Sequence, residues 1–133
     1  MQNKNSDMSG AFETQIENIK NVDLHKAIDY IKEHFFEDIP VKKLANAASL
    51  NYSSLTKLFK KELDVTPFEY LWRYRTEVAK RLLVLTELPI KEISKKCGFK
   101  TPSHFSRKFE SYIGIAPTSY RKLYMNKGED GLE

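Results

Sequence analysis

One pattern occurs twice in this chain, at a spacing of 49 to 50 residues. Ile39-Pro40-Val41 corresponds to Leu88-Pro89-Ile90, and after one inserted residue Asn51 corresponds to Thr101. The later matches pair large apolar residues and prolines: Leu55 with Phe105, Phe59 with Phe109, Pro67 with Pro117 and Tyr70 with Tyr120. Each copy is typical of a short helix, a tight turn, a second helix and a proline near the next helix start. Two copies are too few for a solenoid, so the repeat predicts two similar small modules.

The spacing of apolar residues is helical through both copies. From residue 24 onward, apolar residues recur at intervals of three and four, which is the period of an amphipathic helix. The first such stripe consists of Leu24, Ala27, Ile28, Ile31 and Phe35. No run alternates apolar and polar residues over the length of a strand. We therefore predict an all-α fold.

Capping residues and prolines indicate where the helices begin. We expect Asp23, Asn51 and Thr101 to act as N-caps, because each precedes a helical stripe and has a side-chain oxygen that can accept from the first turn. Thr66-Pro67-Phe68-Glu69 combines a capping box with proline at the first helical position, which predicts a long helix from Pro67 to about Thr86. The inward stripe of this long helix is predicted to be Leu71, Arg75, Val78, Leu82 and Leu85, widened by Trp72, Ala79 and Leu83.

Two short helices separated by about four residues, as in each copy, form a helix-turn-helix. The second helix of this motif can lie in the major groove of DNA. Gly98 occupies the turn of the second copy, where a positive φ is often needed, and Pro102 follows at the first helical position. Ser49 stands in place of the glycine in the first copy, so the turn signal is weaker there.

The outer faces of the two second helices are predicted to carry hydroxyls and cations. These residues are Ser53, Thr56, Lys57, Lys60 and Lys61 in the first copy, and Ser103, His104, Ser106, Arg107 and Lys108 in the second. Short polar side chains let a helix approach base edges, and arginine can donate two hydrogen bonds to guanine. The lysines suited to phosphate contacts, which position a protein without reading sequence, are Lys60, Lys61, Lys100 and Lys108. A single helix of this kind is also typical of a solvated surface, whereas two copies favour DNA binding.

The basic residues are concentrated in the repeated region. The whole chain has a net charge of +4. Residues 24–124 hold 19 Lys or Arg against 11 Asp or Glu, a net charge of +8, and the two termini hold 3 basic and 7 acidic residues. A basic domain favours polyanions such as nucleic acid or an anionic membrane surface. A lysine-rich surface that only keeps the protein hydrated is the alternative.

The sequence argues against several other classes of protein. Cys97 is the single cysteine, which excludes an internal disulfide and a multi-cysteine zinc site. No uncharged apolar stretch approaches the ~18 residues of a membrane span, and the polar N-terminus lacks the core of a signal peptide, so we expect no membrane association and a cytoplasmic location. No phosphate-binding glycine loop, zinc-ligand spacing or nucleophile motif occurs. We therefore expect neither an enzyme nor a bound metal or cofactor.

The region from about Leu24 to Tyr124 resembles the C-terminal DNA-binding domain of the AraC/XylS family of bacterial transcription regulators. The most specific part is the second copy with its flanks: Ile90-x-x-Ile93-Ser94-x-x-Cys97-Gly98-Phe99, then Ser103-His104-Phe105-Ser106-Arg107-x-Phe109-x-x-x-x-Gly114-x-x-Pro117-x-x-Tyr120-Arg121. The resemblance implies seven helices in two helix-turn-helix subdomains joined by a long linker helix. Subdomain one is then 23–66, the linker helix 67–86 and subdomain two 87–125. Residues 1–22 are predicted to be a flexible acidic lead-in, and 126–133 a polar tail that resembles a cloning scar at its end.

The resemblance also implies which residues contact DNA. The base-reading positions fall on Ser53, Thr56 and Lys57 in the first recognition helix and on Ser103, His104 and Arg107 in the second, with Tyr52, Pro102 and Ser106 flanking them. Both helices would enter adjacent major-groove segments on one face of the duplex, about 34 Å apart. A rigid helix of about 20 residues spans roughly 30 Å, so it could set that separation.

The expected partners follow from the same resemblance. Family members most often activate transcription by recruiting RNA polymerase at promoters, so we expect double-stranded DNA and RNA polymerase as partners. Many members carry a separate effector or dimerisation domain, and we expect this chain to lack one. A helical protein-interaction module that binds an acidic partner is the alternative, and the acidic, weakly amphipathic residues 11–20 favour it. Binding to duplex DNA separates the two hypotheses.

Overall fold

Seven helices follow one another in the part of the chain that the structure describes, and no strand occurs there, which confirms the all-α prediction. The computed structural model describes the backbone of residues 20–132 and the side chains of residues 20–125. The helices are α1 (Val22–His34), α2 (Val41–Ala47), α3 (Tyr52–Leu63), α4 (Pro67–Leu85), α5 (Ile90–Lys96), α6 (Pro102–Ile113) and α7 (Pro117–Leu132). Nearly all of the predicted lead-in lies outside the described residues. The residues predicted as a polar tail continue α7 as far as Leu132.

The helices form two compact units whose boundary lies inside α4, between Tyr74 and Arg75. The first unit contains α1, α2, α3 and the beginning of α4. The second unit contains the rest of α4 with α5, α6 and α7. Each unit therefore holds one copy of the sequence repeat, and the predicted linker helix is shared between them.

The core of the first unit joins three helices to the beginning of α4. The fully buried side chains of α1 and α3 are Leu24, Ala27, Ile28, Ile31, Leu55 and Phe59. The rings of Phe59 and Tyr70 meet edge to face, with centroids 5.8 Å apart, and connect α3 to α4. Because these residues keep the helical spacing of the sequence, the opposite face of α3 is left for solvent.

The core of the second unit contains a chain of aromatic rings. Phe105 and Phe109 on α6 are fully buried, and their ring centroids lie 5.7 Å apart. Phe109 also meets Tyr120 of α7 at 5.5 Å. Cys97 is fully buried, and burial raises the pKa of its thiol to about 12, so it acts as a small apolar side chain.

The turn between the two short helices has the same hydrogen bonds in both units. The Leu50 N–H donates to the Ala45 carbonyl at 2.9 Å, and the Phe99 N–H donates to the Ser94 carbonyl at 3.0 Å. The residue before each donor has a left-handed backbone, with φ at 59° for Ser49 and 88° for Gly98. The predicted positive φ at Gly98 is confirmed, and serine adopts the same region in the first unit despite its Cβ.

Three predicted helix starts are confirmed and one is wrong. Asn51 Oδ1 accepts from the Ser54 N–H at 2.8 Å, and Thr101 Oγ1 accepts from the His104 N–H at 3.0 Å. Thr66 and Glu69 form the expected reciprocal box, with the Thr66 N–H donating to the Glu69 carboxylate at 2.7 Å and the Glu69 N–H to the Thr66 hydroxyl at 3.1 Å. These bonds fix the first turns of α3, α6 and α4.

At α1 the cap is Asn21, not Asp23. Asn21 has extended backbone angles, and its Oδ1 accepts from the Leu24 N–H at 3.0 Å. The helix already begins at Val22, so Asp23 lies within the first turn. Its negative charge there interacts favourably with the positive end of the helix dipole.

The predicted inward stripe of α4 holds for Leu71 and Arg75 but is wrong for Leu85. The buried positions in the second half of the helix are Arg75, Thr76, Glu77, Ala79 and Leu83, whereas Leu85 is 76% exposed. The stripe shifts because the helix changes partners at the boundary between the units. The end of α4 is held by Arg121, whose Nε donates to the Leu83 carbonyl at 2.9 Å and whose Nη2 donates to the Thr86 carbonyl at 3.1 Å.

Candidate nucleic-acid interface

The outer face of α3 presents hydroxyls and lysines to solvent. Ser53, Lys57, Lys60 and Lys61 are exposed, while Leu55, Phe59 and Leu63 on the opposite side are buried. Basic side chains reach phosphates from such a face, and the short serine leaves room for close approach to base edges. Ser54 is exposed on the same helix, although the sequence did not single it out as a candidate.

Thr56 lies at the border of this face. Its Oγ1 is buried, and no described residue provides it with a hydrogen-bond partner. The reason is its position beside the inward stripe, one residue after Leu55 and three before Phe59. A base contact by Thr56 requires its hydroxyl to turn outward, and that contact stays a prediction.

The outer face of α6 has fewer fully exposed candidate residues than that of α3. Ser103 and Arg107 are exposed, and Ser106 is half-buried. Lys108 is also half-buried, with its Nζ 5.8 Å from the centroid of the Tyr112 ring. A cation held over an aromatic ring gains electrostatic stabilisation there, so Lys108 is drawn along the helix surface. Lys100 and Pro102 lie exposed before and at the helix start.

His104 is half-buried on the first turn of α6. Its ring meets Phe99 edge to face, with centroids 5.8 Å apart. Burial lowers the pKa of His104 below its usual 6.5, and the positive charges of Lys108, Arg107, Arg75 and Lys100 lower it further. The imidazole is therefore neutral at pH 7 and offers one donor and one acceptor nitrogen.

One charge on this face was missed by the sequence interpretation. Glu110 is exposed on α6 and corresponds to Lys60 of α3 at the repeat offset of 50. The repeat itself contained this signal, because aligning the two helices position by position reveals the charge reversal. An acidic side chain here opposes phosphate contact, so the two outer faces are not electrostatically equivalent.

Between residues 20 and 132, no helix has both the length and the apolar composition needed to cross a membrane. Among residues 20–125, whose side chains the structure describes, no three His, Cys, Asp or Glu side chains are grouped so that they could hold a metal ion.

Two units of this kind, each with a capped helix behind a left-handed turn, define a tandem helix-turn-helix protein. A family model described as a helix-turn-helix domain matches residues 44–123. The chain belongs to the AraC/XylS family, whose members are transcription regulators and not enzymes.

The curated relatives are bacterial regulators of greater length. The lactose operon transcription activator of Staphylococcus xylosus is 36% identical over 110 residues, which cover 83% of this chain and 39% of that protein. The probable transcriptional regulator LumQ of Photobacterium leiognathi is 34% identical over 93 residues, which cover 70% of this chain and 38% of that protein. The chain thus spans about two-fifths of the length of these relatives.

Solved structures of similar domains share the fold. The C-terminal domain of AraT, a response regulator from Geobacillus stearothermophilus, is 32% identical with a TM-score of 0.74, covering 78% of this chain and 87% of that one. The DNA-binding domain of AdpA, a global transcriptional factor solved in complex with a target DNA, is 26% identical with a TM-score of 0.74. That match covers 78% of this chain and 94% of the AdpA domain.

Proposed function

We propose that this chain is a sequence-specific double-stranded DNA-binding transcription regulator that uses α3 and α6 as recognition helices. The observation that carries the proposal is the recurrence of one design. In both units a left-handed turn leads to a side-chain cap and then to a helix with an apolar inner face and an outer face that carries hydroxyls and cations, joined in α6 by Glu110. A surface that only keeps the protein hydrated does not require these features to recur together in both units.

In this proposal the two helices divide the contacts by chemistry. Ser53, Lys57, Ser103, His104 and Arg107 read base edges, and Thr56 joins them if its hydroxyl turns outward. The remaining candidates hold phosphates or flank the base-reading positions: Tyr52, Lys60, Lys61, Lys100, Pro102, Ser106 and Lys108. Arg107 has the strongest potential for specificity, because its guanidinium can donate two hydrogen bonds to one guanine.

The two helices enter adjacent major-groove segments in this proposal. Successive segments on one face of a duplex are about 34 Å apart. The 19 residues of α4 form a rod roughly 28 Å long that contributes to both units. In this proposal the protein acts in the cytoplasm as an activator that recruits RNA polymerase, and the similarity to the lactose operon transcription activator of Staphylococcus xylosus supports the activating role.

Selection of bound duplexes from a random pool tests specificity and yields the site. We expect one enriched sequence, and an affinity that falls with salt at a log–log slope of about −0.9 per phosphate neutralised. Enrichment of no sequence, with binding independent of salt, would contradict the proposal and favour the protein-interaction alternative.

Two substitutions on the selected site separate base reading from phosphate contact. Arg107→Ala is expected to cost about 1–3 kcal/mol of binding free energy and to relax preference at one base pair. Lys61→Ala serves as the matched control and is expected to weaken binding to all duplexes alike. If Arg107→Ala lowers affinity for every sequence equally, Arg107 is a phosphate contact instead.

A further inference from the structure

Two exposed aromatic side chains lie together where α3 and α4 begin. Tyr52, the first residue of α3, is 46% exposed, and Phe68, the second residue of α4, is 37% exposed. Both line one small apolar gap in the first unit. Its other lining residues are Val41, Leu44, Leu55 and Pro67. We call Tyr52 and Phe68 the aromatic shelf.

The aromatic shelf is held in place from within the first unit. Both side chains line the apolar gap, which is too small to admit a water molecule. Asn51 fixes the first turn of α3 through its 2.8 Å bond from the Ser54 N–H, so the backbone that carries Tyr52 is also fixed. A rigid apolar surface loses little conformational entropy when it meets a partner.

The shelf belongs to the first unit alone. At the repeat offset of 50, Tyr52 corresponds to Pro102 and Phe68 corresponds to Thr118. The second unit therefore has no aromatic pair at this place. The difference predicts that the two recognition helices read different features of DNA.

The shelf directly adjoins the surface assigned to DNA. Ser53 follows Tyr52 in the chain, and Ser53 and Lys57 are exposed on the same helix. Around the shelf the outer face of α3 presents only hydroxyls and cations, which suit base edges and phosphates. Burying the exposed apolar area of the shelf against an apolar group is favourable, because it removes that area from water.

The major groove presents one apolar group, the C5-methyl of thymine. We propose that Tyr52, at the start of α3 and supported by Phe68, packs against the methyl group of a thymine. This contact specifies thymine at one position of the first half-site, which is the segment of DNA that α3 contacts; the second half-site is the segment that α6 contacts. The inference rests on the proposed function, since it requires α3 to lie in the major groove. It assigns to Tyr52 a part in base reading, beyond flanking the base-reading residues.

Deoxyuridine scanning tests this contact without altering the protein. Each thymine of the selected site is replaced in turn by deoxyuridine, which keeps the base pair and removes only the methyl group. We expect one replacement in the first half-site to weaken binding about fourfold, the factor for one buried carbon group. The same scan in the second half-site gives no position that depends on Tyr52.

Three variants assign the effect to the shelf. Tyr52→Ala should lose the same factor on the thymine site and become indifferent to deoxyuridine at that position. Tyr52→Phe should keep the discrimination, because the ring and not the hydroxyl makes the contact. Phe68→Ala should reduce the discrimination while Ser53 and Lys57 remain in place.

The outcomes separate this inference from the proposed function. If the unmodified site is bound specifically but no deoxyuridine in the first half-site matters, or if that half-site contains no thymine, the inference is overturned and the proposed function stands. If Tyr52→Ala weakens thymine and deoxyuridine sites equally, Tyr52 lies against a sugar and the inference is also overturned. Failure to bind any duplex specifically overturns both.

Discussion

Ser49 shows how far a single residue can depart from the chemistry that its position favours. Its φ of 59° matches the left-handed turn that Gly98 forms in the second unit. A residue with a Cβ is disfavoured there by roughly 1–2 kcal/mol, because the Cβ approaches the following carbonyl oxygen. The sequence revealed that serine replaces glycine, but the backbone angle it must adopt is set by the helices on either side.

Ser49→Gly is expected to stabilise the first unit by roughly 1 kcal/mol, since it removes this steric cost. The measurement is the free energy of unfolding in urea. Gly114→Ala is the matched control: its φ is 103° and no atom lies within 4 Å of the added Cβ, so its expected loss of roughly 1 kcal/mol reports backbone strain alone. A loss of stability in Ser49→Gly would mean that the serine side chain supports the turn.

His104 links pH to the stability of the second unit. Its pKa is lowered in the folded protein, mainly by burial and then by neighbouring cations. A lowered pKa means that its contribution is fully present above the unfolded value of about 6.5 and is lost as pH falls through the folded value. We expect an NMR titration midpoint for His104 below 6.5.

The free energy of unfolding should therefore fall as pH drops below about 6.5, and His104→Gln should make this fall smaller. Arg107→Ala should raise the His104 midpoint, because it removes one of the cations that disfavour the charged imidazole. A midpoint at or above 6.5 in the wild-type protein would contradict the half-buried environment of this ring.

At the scale of elements, helix starts were more predictable than helix faces. Asn51, Thr66 and Thr101 cap their own first turns, so the signal lies within four residues. The Thr66 N–H also lowers the pKa of the Glu69 carboxyl, as expected for a box formed by the charged side chain. The exposure of Leu85 could not be predicted in this way, because it depends on which helices, distant in sequence, cover the end of α4.

The same distinction applies to the candidate site. The cations and serines of the outer faces follow from helical periodicity, and most are exposed as predicted. The burial of Thr56 Oγ1 and the partial burial of His104 depend on packing within each unit. The sequence indicated only one member of the aromatic shelf. Tyr52 was predicted to flank the base-reading residues, whereas Phe68 was noted only within the capping-box sequence.

The contact between α7 and the end of α4 gives a prediction at this scale. Arg121 donates to two carbonyls that no further helical turn can satisfy, those of Leu83 and Thr86. Arg121→Lys keeps the charge but loses the two-pronged geometry, and we expect a cost of roughly 1–3 kcal/mol.

Hydrogen exchange measured over the second unit tests this cost directly. The protection of α4 residues after Arg75 should fall in Arg121→Lys, while that of α1 and α3 should not change. Lys122→Ala is the control, because Lys122 is the exposed neighbour on the same helix. Equal losses in both variants would show that the two carbonyl bonds do not account for the protection of α4, since Lys122 makes neither of them.

At the scale of the whole molecule, the repeat predicted two modules but not where the chain divides. The boundary inside α4 arises because Tyr70 and Leu71 pack into the first unit, while Ala79 and Leu83 are buried beyond it. If α3 and α6 both contact DNA as proposed, the second contact is intramolecular, which raises affinity without any new contact. The gain depends on both helices reaching their half-sites at once.

Changing the distance between the half-sites of the selected DNA tests this dependence without touching the protein. Five inserted base pairs turn one half-site by about half a helical turn, so binding should fall to the level of an isolated half-site. Ten inserted base pairs restore the face but add about 34 Å, which the roughly 28 Å length of α4 does not accommodate if the helix is rigid. Affinity is read by fluorescence anisotropy, with a single half-site in a duplex of equal length as the control. Recovery at ten base pairs would indicate a flexible connection, and no loss at five would mean that only one of the two helices reads DNA.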